Sequence, residues 1–124
     1  EMTSSLVGSE MCIRDRCGED TAKCWDALRP YIVYIHIKDA VSTDKENVLC
    51  GTGEGKIPEL LHKAIVEEGY TGFLTLEPHL VLFDSLQSLE TTDAKNIIRE
   101  NKYKNGAEGY AAQYHALCDI LAKF

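Results

Sequence analysis

His36 and Glu77 are the residues of this sequence whose types and positions most favour chemistry. His36 lies near the end of the apolar and aromatic run Tyr31–Ile37, and Glu77 directly follows a second apolar run, Phe73–Leu76. An imidazole nitrogen and a carboxylate oxygen together suit a divalent metal such as Mn²⁺, Co²⁺, Mg²⁺ or Zn²⁺. Each residue alone has a simpler explanation, as a hydrogen-bonded core histidine or as a solvated carboxylate at a strand end.

The segments around these two residues predict that their side chains meet. Tyr31–Ile37 contains no Gly or Pro and is typical of a strand buried on both faces. Ile57–Glu68 has the spacing of a helix with one buried face. The order strand, helix, strand implies a right-handed crossover and parallel pairing. We therefore expect His36 and Glu77 at one edge of the sheet, on strands about 4.8 Å apart, where α/β sheets and barrels bind ligands.

Two further helices are predicted from capping residues and apolar spacing. The first covers Thr21–Arg29, follows the N-cap residue Asp20 and stops at Pro30. The last covers about Ala111–Ala122, after a polar loop. Its predicted buried stripe consists of Tyr110, Tyr114, Leu117, Cys118 and Leu121.

A long loop separates the first predicted strand from the following helix. It runs from Lys38 to Lys56, about nineteen residues, where two to six are usual. Its end, Gly51–Gly55, is rich in glycine, which permits positive φ angles and close approach of the backbone to a ligand. Two interpretations stay open: a direct contact to substrate, including a phosphate at the helix N-terminus, or tight-turn geometry alone.

Three polar residues near the predicted sheet edge are further candidates. Lys38 and Asp39 directly follow the first strand, where they can bind substrate oxygens or form an ion pair at the mouth of the loop. His79 is a possible additional ligand, although it comes after Pro78, where the chain turns away.

Composition excludes several classes of function. The chain has 124 residues, enough for one domain, and a net charge of −7, which argues against nucleic acid as a partner. No apolar run is long enough to cross a membrane, and the N-terminus lacks the pattern of a signal peptide. The five cysteines form no Cys-x-x-Cys motif. They favour reduced thiols in a cytoplasmic protein, with disulfides or a structural zinc site as alternatives.

The N-terminal residues 1–16 differ from the rest of the chain. They show neither helical nor strand periodicity, and they resemble the translation of a sequencing adaptor. We therefore treat 1–16 as a non-native or disordered segment and 17–124 as the domain. An ordinary disordered arm is the alternative.

Four motifs, taken in order, resemble the sugar phosphate isomerase/epimerase family. They lie at Tyr34–Asp39, Gly53–Gly55, Gly69–Gly72 and Leu76–His79, and the resemblance covers about residues 17–89. The family has the xylose isomerase-like TIM barrel fold. In it the His-x-Lys-Asp strand is the seventh and the Leu-Glu-Pro strand the eighth. The resemblance implies an α/β fold: the C-terminal part of a (β/α)8 barrel, with these two strands, their flanking helices and an incomplete barrel.

The resemblance also implies a function and roles for particular residues. The family's metal ligands correspond to His36 and Glu77, and Glu77 also corresponds to an acid/base in proton transfer through an enediolate. The expected cofactor is a divalent metal, and the expected substrate is a small sugar or sugar phosphate. Lys38 and His79 are predicted to bind that substrate.

The sequence departs from the family by lacking the other metal ligands, a Glu and an Asp from earlier strands. A complete barrel takes about 250 residues. We therefore expect a C-terminal portion that is inactive and aggregation-prone alone, because its strand edges are unpaired, with the full-length protein a possible homo-oligomer. Two other hypotheses are a metal-dependent endonuclease-type barrel hydrolase and a non-catalytic half-barrel module.

Overall fold

The computed structural model describes residues 21–41, 46–78, 80–81 and 102–124, and within them the chain is mixed α/β. The predictions for residues 1–16 and for His79 fall outside these ranges. None of the described helices is long and apolar enough to span a membrane. The elements, in chain order, are α1 (Thr21–Leu28), β1 (Tyr34–Ile37), β2 (Asp39–Ala40), β3 (Asn47–Val48), α2 (Ile57–His62), β4 (Phe73–Leu76) and α3 (Gly106–Leu121).

Helix α1 confirms the first predicted helix, and its one buried aromatic residue connects it to the end of α2. After Leu28 the chain continues as a 3-10 turn, Arg29–Tyr31, which contains Pro30. Trp25 is buried, and its indole Nε1 donates a hydrogen bond to Glu68 Oε2 at 3.0 Å. Arg29 forms an ion pair with the other oxygen of Glu68, also at 3.0 Å. These contacts fix α1 against the chain that leads into β4.

Strands β1 and β4 pair in parallel, as predicted, with α2 between them in sequence. β1 begins at Tyr34, later than predicted, because the 3-10 turn extends through Tyr31. The register places His36 opposite Thr75, and the ladder continues past β4, where Glu77 N–H donates to the carbonyl of Ile37 at 3.0 Å.

The prediction that β1 is buried on both faces is wrong for the part of the chain that the structure describes. Ile35 and Ile37 are buried on one face, in the same apolar cluster as residues of α1, α2 and α3. Burial of each such side chain contributes about 1.5–3 kcal/mol. On the other face Tyr34 and His36 are only partly buried, and Phe73 of β4 is 81% exposed.

Helix α2 confirms the predicted helix and is α-helical to His62, then π-helical over Lys63–Glu67. Pro58 occupies its first turn, where no backbone donor is needed. Gly69 has φ +69°, the left-handed conformation that ends helices. The helix is therefore terminated shortly before β4 begins at Phe73.

Part of the long loop Lys38–Lys56 has regular secondary structure, whereas the sequence predicted only a loop there. Strands β2 and β3 form a small antiparallel pair, in which Asp39 lies opposite Val48 and Ala40 opposite Asn47. Two-residue strands leave no detectable alternation in the sequence, so the hairpin could not be predicted from the pattern.

Helix α3 begins earlier than predicted, at Gly106 instead of Ala111. Asn105 is its N-cap and accepts a hydrogen bond from Glu108 N–H at 3.0 Å. The Glu108 carboxylate in turn accepts one from Lys104 N–H at 3.0 Å. The two hydrogen bonds hold the chain at the start of the helix and stabilise its additional first turn.

The predicted buried stripe of α3 is wrong at its two tyrosines, whereas Leu117 is buried as predicted and Cys118 and Leu121 are partly buried. Tyr110 and Tyr114 are exposed, and the buried residues of the helix are Gly109, Gln113, Leu117 and Ile120. The buried face of the helix therefore differs from the predicted one and includes the polar Gln113. The Oε1 atom of this residue accepts a hydrogen bond from Cys50 N–H at 3.1 Å. A buried backbone donor without such a partner costs about 1–3 kcal/mol.

Cys50 is expected to resist alkylation. Burial, and to a smaller extent the negative charge of the nearby Asp39 carboxylate, together raise the pKa of its thiol from the ordinary 9.0 to about 11. Near neutral pH the thiolate fraction is then about a hundredfold below that of an ordinary thiol. Mass spectrometry after iodoacetamide treatment should find Cys50 labelled far more slowly than the partly exposed Cys118. Equal labelling rates would contradict this packing.

The same thiol is expected to make stability fall at alkaline pH. Its pKa in the folded chain lies above the unfolded value, so the unfolded chain loses the proton first as pH rises. The contribution of Cys50 to stability is therefore complete below pH 9.0 and is lost between 9.0 and about 11. Urea unfolding at several pH values should show a smaller loss in Cys50→Ser than in the wild type.

Candidate metal and acid–base site

His36 and Glu77 meet at the C-terminal edge of the parallel strand pair. His36 lies on β1 opposite Thr75 of β4. Glu77 follows Thr75 by two residues, so its side chain lies on the same face of the sheet as that of Thr75. Their side chains approach to 3.3 Å, measured from His36 Nδ1 to Glu77 Oε2. The parallel register therefore brings the two predicted site residues together.

The imidazole of His36 is partly exposed to solvent, but its Nδ1 atom is buried. The side chain is 24% exposed, and the ring packs against Tyr34 with centroids 4.9 Å apart. Nδ1 is buried and makes no hydrogen bond to the described residues, although Glu77 Oε2 lies close to it. A buried nitrogen in this state is uncommon in proteins and is explained when an ion or ligand completes its contacts.

Glu77 presents its two carboxylate oxygens to different groups. Oε2 faces His36, whereas Oε1 lies 3.9 Å from Lys38 Nζ. Lys38 has an 11% exposed side chain and Glu77 a 37% exposed one, so the pair is partly shielded from water. Contacts of this length contribute less than about 1 kcal/mol. Lys38 therefore places a positive charge beside the carboxylate of Glu77.

The donor set fits part of a divalent metal site. One imidazole nitrogen and one carboxylate oxygen are ligands that Mn²⁺, Co²⁺ and Zn²⁺ accept. No group of three or more His, Cys, Asp or Glu side chains occurs within the described ranges. A catalytic metal usually takes three protein ligands or more, so His36 and Glu77 would need ligands from other segments. His79, the remaining predicted site residue, is outside the described ranges.

Asp39 has a role that the sequence analysis did not foresee. It is 1% exposed, and its carboxylate accepts hydrogen bonds from the backbone N–H groups of Ala40 (3.0 Å), Gly51 (2.8 Å), Gly53 (2.9 Å) and Gly55 (3.0 Å). These four backbone donors account for the buried carboxylate without an ion-pair partner or a substrate. Asp39 instead fixes the glycine loop against the end of β1.

Two glycines of this loop, Gly51 and Gly53, occupy positions where a side chain is disfavoured. A Cβ atom on Gly53 would lie 2.3 Å from Asp39 Oδ1 and 2.6 Å from the carbonyl oxygen of Ala40. Gly51 has φ +83°, a conformation that side chains disfavour. The tight-turn interpretation therefore explains both residues. The sequence signal for this arrangement is an Asp at a strand end followed by alternating glycines.

Comparisons with known proteins add no identification. No protein-family model matches the chain, and no match was found among the curated proteins or the solved structures. The resemblance to the isomerase/epimerase family therefore stays a prediction from motifs.

Proposed function

We propose that this chain forms the part of a xylose isomerase-like barrel that contains the seventh and eighth strands, and that the whole protein is a divalent-metal-dependent sugar isomerase or epimerase. The observation that supports this most is the approach of His36 Nδ1 to Glu77 Oε2 at 3.3 Å, with Nδ1 buried and without a hydrogen bond. The C-terminal edge of parallel strands is where β/α barrels carry their active sites.

The distribution of burial across the sheet supports a barrel. The helices cover the face of Ile35 and Ile37, while on the other face His36 is only partly buried and Phe73 is 81% exposed. In a β/α barrel the helices lie outside and the other strand face points inward, against side chains of further strands. In that arrangement both His36 and Glu77 point into the barrel.

The chemistry assigned to these residues is a proton transfer between neighbouring carbons of a sugar. A divalent metal held by His36 and Glu77 would polarise a carbonyl and hydroxyl pair and make the adjacent C–H acidic. Glu77 accepts that proton on its carboxylate and, in an isomerisation, returns it to the neighbouring carbon. An epimerisation needs a second acid/base, from another segment of the protein, that donates a proton to the opposite face of the carbon. The proton balance closes on the enzyme, and no external oxidant or reductant is needed.

The two oxygens of Glu77 allow it to perform both roles. Oε2 is directed to His36 and therefore to the proposed metal position, while Oε1 is directed to the Lys38 ammonium. Lys38 is proposed to bind a substrate oxygen and to stabilise negative charge that develops on it. His79 is proposed to bind the substrate as well, from its position two residues after Glu77.

The experiment that tests this function follows hydrogen exchange at a sugar carbon. A protein that joins this chain to the preceding barrel strands is incubated with aldoses and ketoses in D₂O, and ¹H NMR follows loss of the C–H signals. We expect exchange that requires Mn²⁺ or Co²⁺ and that EDTA abolishes, whereas the 124-residue chain alone gives none. Metal-dependent cleavage of DNA without sugar exchange would instead support the endonuclease-type hydrolase.

A further inference from the structure

The aromatic ring of Tyr34 packs directly against the imidazole of the proposed metal site. Tyr34 and His36 are two positions apart on β1, so their side chains lie on the same face of the sheet. A strand rises about 3.3 Å per residue, which separates the two backbone positions by about 6.6 Å. The ring centroids are only 4.9 Å apart, with 51° between the ring planes. The two rings therefore lean toward each other and form a contact that their spacing on the strand alone does not produce.

The imidazole of His36 needs such a neighbour to present its nitrogen in a fixed direction. The torsion that turns a histidine ring has broad minima, so a ring without packing directs its nitrogens over a wide range. Nδ1 lies 3.3 Å from Glu77 Oε2 but makes no hydrogen bond within the described residues. The approach to Glu77 therefore does not fix the plane of the ring.

The other described neighbours of His36 on this face do not provide a rigid surface. Thr75, which lies opposite His36 in the register, is exposed. Lys38, two residues further along β1, directs its ammonium to Glu77. Tyr34 is partly buried, and its large flat ring turns about only two torsions. Among the described residues, Tyr34 is therefore best suited to hold the imidazole in place.

We infer, in an extension that rests on the proposed metal-dependent function, that Tyr34 is a positioning residue of the site: its ring fixes the plane of the His36 imidazole and keeps Nδ1 directed to the Glu77 carboxylate. In this role Tyr34 contacts neither the metal nor the substrate. Groups that orient a metal-ligating histidine typically contribute about 10–100-fold to metal affinity. The flat ring performs this role and the hydroxyl does not, so a phenylalanine serves equally well.

Three variants of the 124-residue chain test this role through the affinity of His36 for Mn²⁺. Tyr34→Leu removes the flat ring but keeps apolar bulk, and Mn²⁺ should broaden its His36 imidazole signals only at concentrations about tenfold higher or more. Tyr34→Phe should bind Mn²⁺ within about twofold of the wild type. The matched control is Phe73→Val, which removes the ring opposite Tyr34 in the register and should also stay within about twofold.

An unchanged affinity for Mn²⁺ in Tyr34→Leu would overturn the inference. A loss in Tyr34→Phe as large as that in Tyr34→Leu would also overturn it, because the hydroxyl and not the ring would then act. If Phe73→Val lost the same affinity, any change on this face of the sheet would disturb the site, and a specific role of Tyr34 would be contradicted.

A measurement without metal separates this inference from the function on which it rests. Relaxation of the ¹³C-labelled His36 ring in the wild type should give an order parameter of about 0.85, the value of rigid backbone, and Tyr34→Leu should lower it below about 0.6. A mobile ring in the wild type overturns the inference even if Tyr34→Leu does not fold. An ordered ring in a chain whose His36 does not respond to Mn²⁺ supports the packing role of Tyr34 and contradicts the proposed metal site.

Discussion

Asp39→Asn is expected to destabilise the chain by about 3–5 kcal/mol, because hydrogen bonds to a charged acceptor contribute about 1.5–3 kcal/mol each and at least two are lost. The amide of Asn has one accepting oxygen, so its NH₂ group would face backbone donors of the glycine loop that now contact Asp39. Urea and thermal unfolding followed by circular dichroism measure the change. For a domain of this size the midpoint should fall by at least about 12 °C.

A matched substitution shows whether the effect belongs to this site. Asp119→Asn removes the same charge from the exposed face of α3 and should change stability by less than about 0.5 kcal/mol. If Asp39→Asn is equally mild, the carboxylate does not hold the loop as described. Gly53→Ala should destabilise as well, because its Cβ would overlap Asp39 Oδ1.

Glu77→Gln is expected to lower kcat for sugar hydrogen exchange by about a thousandfold or more, in the protein that includes all barrel strands. The substitution keeps the size of the side chain but removes the proton acceptor, a contribution of about 10²–10⁴ in general base catalysis. It also removes the negative charge that faces His36 and Lys38. Exchange rates measured by ¹H NMR, with the metal saturating, report the chemical step.

The control for this variant is Glu59→Gln, at an exposed position in the first turn of α2. It should leave kcat within about twofold of the wild type. Folding of Glu77→Gln should also be preserved, because the contact of residue 77 with the ladder uses its backbone N–H. Full activity in Glu77→Gln would favour the non-catalytic half-barrel, in which residue 77 has no chemical role.

The part of the fold that could be predicted is the unit β1, α2 and β4. Its strands are short apolar runs bounded by turn residues, and its helix has a clear apolar period. Once parallel pairing follows from that order, the proximity of His36 and Glu77 follows from register alone. The proximity of these two residues could therefore be predicted from backbone geometry alone, before the packing of the side chains was known.

The role of Asp39 could not be predicted because it depends on contacts from a side chain to distant backbone. The donors lie between one and sixteen residues away, and such contacts leave no periodic signal. A charged residue after a strand ordinarily indicates a surface position, yet this one is buried and fully satisfied by N–H groups.

The buried face of α3 was mispredicted for a related reason. Hydrophobicity alone favoured Tyr110 and Tyr114, but the polar Gln113 is buried because it satisfies the backbone of Cys50. The prediction that β1 is buried on both faces was wrong for a different reason. A continuous apolar run does not show whether a second layer of structure covers each face of the strand. Phe73 of β4, which is 81% exposed, shows most clearly that this face is not fully buried.

The test of the metal site is a titration of the chain, labelled at its histidine side chains, with Mn²⁺ well below one equivalent. We predict that the imidazole signals of His36 broaden before those of His62 and His115, which lie on exposed helix positions. EDTA should reverse the effect, and Glu77→Gln should remove the selectivity for His36. Equal broadening of the three histidines, or an unaffected His36 in the wild type, would contradict a metal site formed by His36 and Glu77.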